Sequence, residues 1–113
     1  MSIGYSQFMG PTVLGIAAAT LFTVPALPAT ILLRGGRVRL VNTTAAAVAA
    51  TLYAVPLAGT AAAGNAFLSG KSIAANDFLD VDVPLMGPGG FVQGLAGAAA
   101  SITAHMISGS LFS

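Results

Sequence analysis

Two stretches of this chain alternate apolar and polar side chains with a period of two. Over residues 37–42, Arg37, Arg39 and Val41 point one way and Val38, Leu40 and Asn42 the other, as in a half-buried strand. Over residues 78–85, Leu79, Val81 and Val83 oppose Asp80 and Asp82, and Pro84 ends the ladder because it has no N–H to donate. TLFTVP at 20–25 and TLYAVP at 51–56 are rich in β-branched and aromatic residues and also stop at a proline. Between such runs stand Gly35-Gly36, Asn42-Thr43-Thr44 and Gly87-Pro88-Gly89-Gly90, all turn chemistry.

The pattern predicts strands near 12–18, 20–24, 29–34, 37–42, 48–55, 66–73, 77–83, 91–96 and 101–111, merging into about eight short strands at the spacing of a sandwich. The alanine-rich pieces at 45–50 and 96–100 have helix propensity but no capping signals, and read as strand ends and loops. The fold expected is all-β, a single antiparallel β-sandwich or jelly roll. Residues 1–16 hold no charge and place Tyr5, Phe8 and Met9 among small residues. They read as an extended N-terminal arm that contacts a partner, ahead of one sandwich domain over 17–113.

Composition sharpens the picture, because 56% of the residues are hydrophobic and only 6% charged. Such a chain must lie in lipid or cover its surface with other protein. The uncharged runs 10–33, 42–70 and 91–113 are long enough to span a bilayer at about 20 residues. Pro25 and Pro28, however, each cost a helix about 3 kcal/mol. Pro56, Gly59 and Gly64 interrupt the second run, and Arg34, Arg37, Arg39 and Lys71 fall between the runs rather than setting an orientation. A small membrane protein is therefore the least favoured reading. A net charge of +1 gives no field to hold nucleic acid. With no cysteine, stability must come from packing. The first basic residue is Arg34, too late for a secretory leader, so a mature start in a cytoplasm is expected.

Candidate chemistry is sparse. NAFLSGKS at 65–72 ends like a phosphate-binding loop, but the required first glycine is replaced by Asn65. Asp80 and Asp82 lie roughly 7 Å apart by strand geometry, in loose range of a glycosidase pair. Their spacing also matches that of Arg37 and Arg39, which predicts cross-strand ion pairs instead. Adding Asp77 gives an acidic trio that fits no calcium loop. His105 is the only histidine, and Ser108 and Ser110 lack a nucleophile-elbow pattern. Asn42-Thr43-Thr44 matches a glycosylation acceptor, but the turn reading is preferred. No enzyme activity, metal or cofactor is expected.

Over residues 20–111 the order of features is TVP, RVRLVNTT, LYAVP with a Gly/Ala-rich loop, SIAAND, LDVDVPL, a glycine turn and a closing strand ending in SG. In this order the chain resembles small sandwich or jelly-roll virion proteins of tailed bacteriophages, of the capsid decoration or cement type. It departs from them at MGPGG, residues 86–90, where those proteins carry an acidic turn. The resemblance implies a non-enzymatic protein on the capsid exterior that bridges copies of the major capsid protein. The alternative it implies is a tail, baseplate or head–tail component of the same fold. Scarcity of charge adds the expectation of a homo-oligomer, most simply a homotrimer, and the resemblance implies that its arm grips neighbouring coat subunits.

Overall fold

A computed structural model describes residues 3–4, 11–25, 32–98 and 100–112. Among them are the strands β1 (Ile3–Gly4), β2 (Thr12–Val13), β3 (Ala19–Thr23), β4 (Leu32–Asn42), β5 (Val48–Val55), β6 (Ala66–Ile73), β7 (Phe78–Asp82), β8 (Phe91–Ala96) and β9 (Ile102–Phe112). The only helical turn among the described residues is the short 3-10 piece Ala63–Asn65. No described helix is long and apolar enough to cross a membrane. The chain is all-β, with every pairing antiparallel.

The strands form two sheets. One runs β1-β9-β4-β7 with β2 also on β9, and the other runs β3-β8-β5-β6. The pairs β2·β9, β3·β8, β4·β7 and β5·β6 are nested, as in one long hairpin whose tip is the β5–β6 turn. Folding that hairpin over brings β9 against β4 and β8 against β5. This wrapped double-sheet order is a jelly roll. Alternation along each strand feeds one core: Val38 and Leu40 from β4, Leu52 from β5, Val92 from β8 and Ile102 from β9 are all fully buried.

Gly35-Gly36, expected to be a turn, lies inside the eleven-residue β4. Gly35 adopts φ 65°, and the register against β9 shifts between Arg34 and Arg37. An extra residue is absorbed in a bulge, a conformation glycine reaches without strain. The chain bends but does not reverse, and over residues 32–42 the expected strands 29–34 and 37–42 are one, residues 29–31 lying outside the described ones. Within the span expected to be an arm, Ile3–Gly4 and Thr12–Val13 both pair with β9. Leu14, directly after them, is 1% exposed in the core. Tyr5, Phe8 and Met9 lie outside the described residues.

Candidate functional site

Three surfaces carry the residues of interest. On the outer face of the five-stranded sheet, the β4–β7 register sets Arg37 opposite Asp82 and Arg39 opposite Asp80. Arg37 Nε donates to Asp82 Oδ1 at 2.8 Å. Arg39 binds both oxygens of Asp80, through Nε at 2.7 Å and Nη2 at 3.1 Å, with its guanidinium carbon 4.4 Å from the centre of the Phe78 ring. The second pair is the tighter and the less exposed of the two. Hydrogen bonding to Arg39 holds the Asp80 carboxyl below its ordinary pKa, and the carboxylates raise both arginines. A glycosidase acid needs a raised carboxyl pKa, so Asp80 is tuned in the opposite direction.

Of the other polar candidates, Ser108 and Asp77 make hydrogen bonds within the fold. His105 sits beside Arg39 on β9. The Ser108 hydroxyl donates to the Gly35 carbonyl at 2.8 Å and so belongs to the bulge. Asp77 Oδ1 accepts from the Phe78 N–H. Lys71 lies exposed on β6, within a continuous strand that no helix follows, so the phosphate-loop geometry is not present. Among the described residues no group of three His, Cys, Asp or Glu could hold a metal. Ser110 is a described position of β9 opposite Arg34.

At one end of the sandwich the buried Asn42 joins two loops. Its Nδ2 donates to the carbonyls of Ala46, Ile73 and Ala74 at 2.8, 3.0 and 3.2 Å, and its Oδ1 accepts from the Thr44 N–H and hydroxyl at 2.9 and 2.7 Å. A carboxamide so enclosed is a turn element and is shielded from glycosylation. The β2–β3 turn shares this end. It is tied down by Leu14 N–H to Ile102 O and Ala96 N–H to Gly15 O, both at 2.8 Å, and it presents Ile16 to solvent.

The opposite end bears an apolar groove of ≈ 230 Å³ between the loops after β5 and β7. Pro56, Leu57, Leu85, Met86, Pro88 and Gly90 line it, with no charged group among its walls. Gly89 lets the wall residue Leu57 pack closely, since its φ is 74° and a Cβ there would stand 2.6 Å from Leu57 Cδ1. The glycine turn at 86–90 is legible in the sequence, but this groove is not. Its one trace is a repeated Val-Pro-Leu, at 55–57 and 83–85, which stops each strand at proline and turns the next leucine outward.

Jelly rolls host virus capsid domains, lectins and cupins alike, so connectivity defines a class and no single activity. No protein-family model matches the chain, and no curated protein matches it. Among solved structures it is similar to a chain in the structure of infectious bursal disease virus, Gx strain, with 17% identity and a TM-score of 0.51. The match covers 97% of this chain and 30% of that one, so this chain spans less than a third of its neighbour's length. At this identity the likeness is one of fold.

Proposed function

We propose that this protein is a non-enzymatic structural component of a virus particle, and specifically a decoration protein on the exterior of a tailed-phage head. In this reading it self-associates and bridges neighbouring major capsid subunits, adding buried interface that raises the cost of separating them. The observation that carries the reading is the wrapped jelly roll, matched along nearly its whole length to a chain in a virus structure. Two features support it further. The few charged side chains are concentrated on β4 and β7, leaving Lys71 as the sole charge on the four-stranded sheet. The carboxylates most suited to catalysis are locked to arginines.

The test adds purified protein to heads lacking it and images them by electron cryomicroscopy. Regular density on the outer capsid lattice, with a higher temperature of head rupture, is the outcome this function requires. Density confined to the tail or baseplate favours the alternative placement. No binding to either part removes the proposal.

A further inference from the structure

The most exposed large apolar side chains among the described residues stand at opposite ends of the molecule. Ile16 is 69% exposed on the β2–β3 turn, and Leu57 and Leu85 are 66% and 64% exposed at the groove. Three sheet edges and one sheet face are poorly suited to self-association. At the sheet edges, β3 has a register shift between Thr20 and Phe22, β6 carries Lys71 and the positive-φ Gly70, and β7 carries Asp80 and Asp82. Bulges and charges of this kind block addition of a further strand. Packing the outer face of the five-stranded sheet would strip water from two ion pairs.

We infer that copies of this chain associate head to tail, the Ile16 turn of one seating in the Leu57–Leu85 groove of the next. Size fits. At ≈ 230 Å³ the groove falls below the roughly 300–1,000 Å³ of small-molecule pockets. It exceeds the about 150 Å³ that holds a benzene-sized apolar body. A branched aliphatic side chain enters such a space with room to spare, and the neighbours Gly15, Ala17 and Ala18 are small enough to let the rim approach. Electrostatics agree, because neither the turn nor the groove lining contains a charge.

Area sets the consequence. An end of 26 × 17 Å offers roughly 400 Å² per copy, about half of what a standard interface buries on each partner. One contact is therefore weak, whereas a closed ring uses both ends of every copy. A knob and a socket on different parts of one chain form a heterologous contact, which closes into a ring when its rotation permits, a trimer being the smallest beyond a pair. This inference rests on the self-association reading above and names the surfaces that carry it.

Light scattering of the full chain tests it with Ile16→Asp, Leu85→Asp, Leu57→Asp and an equimolar mixture of the first two. The wild type should oligomerise. Each variant should fall to the mass of one chain with an unchanged circular dichroism spectrum, because a carboxylate placed in an apolar contact goes unpaired. The mixture, held by a single weak contact, should rise toward twice that mass as its concentration is raised and go no further: the intact turn of Leu85→Asp enters the intact groove of Ile16→Asp, and the remaining ends are blocked. An oligomeric wild type whose variants stay oligomeric, or whose mixture shows no rise in mass over the single variants at the highest concentration measured, overturns the head-to-tail contact and leaves self-association standing. A wild type that is monomeric at every concentration, with its head binding lost in Leu85→Asp, assigns the groove to coat protein and overturns both.

Discussion

Asn42 and Thr44 are joined twice, the Asn42 Oδ1 accepting from both the Thr44 N–H and the Thr44 hydroxyl. The same carboxamide reaches across to the β6–β7 loop, so one buried side chain closes an end of the sandwich. Asn42→Ala should cost roughly 2–4 kcal/mol in urea unfolding, since three carbonyls and an amide lose their partner. Thr44→Val, which removes only the hydroxyl, should cost about 1 kcal/mol. Equal losses for the two would contradict the hub role of Asn42.

Asp80 makes the fold acid-sensitive. Its folded pKa lies below its ordinary value, so the Arg39 pair contributes stability that is complete above about pH 3.9 and lost as pH falls through the folded value. Thermal melts of the wild type should decline in that acidic window, and Asp80→Asn should flatten the decline. At neutral pH Asp82→Asn should lower the melting temperature less than Asp80→Asn, because the Asp82 side chain is 77% exposed and singly bonded.

Gly35 is needed for its backbone and not for space. A Cβ at this position meets nothing within 4 Å, yet φ is +65°. Gly35→Ala should therefore destabilise by about 1–2 kcal/mol, the cost of left-handed backbone for an L-residue. Gly64→Ala, equally uncrowded and without positive φ, should stay within about 0.5 kcal/mol of wild type in the same denaturation series.

Leucines separate core from contact. Leu40 is fully buried, so Leu40→Ala should cost about 2–5 kcal/mol. Leu85 is 64% exposed, so Leu85→Ala should leave the unfolding midpoint within about 0.5 kcal/mol of wild type while weakening association. A large stability loss at Leu85 would place that residue in the fold and not in an interface.

Much of this architecture is readable from local pattern. Strands 48–55, 66–73 and 91–96 follow from β-rich runs bounded by proline and glycine, and they occupy those residues in the structure. The register of β4 against β7 is foreshadowed by the equal spacing of Arg37/Arg39 and Asp80/Asp82. Gly35-Gly36 misleads because the same dipeptide serves a turn and a bulge, and only the tertiary pairing with β9 selects between them. The nested strand order and the groove escape sequence reading for one reason. Both bring together residues far apart in the chain, as where Leu57 and Leu85 share a rim.

The central claim is that this jelly roll is a working part of a virion shell, and the composition of purified particles tests it most directly. Quantitative mass spectrometry of heads separated from tails should find the chain in a fixed, stoichiometric ratio to the major capsid protein. Particles that contain none of it, heads and tails included, would contradict the account.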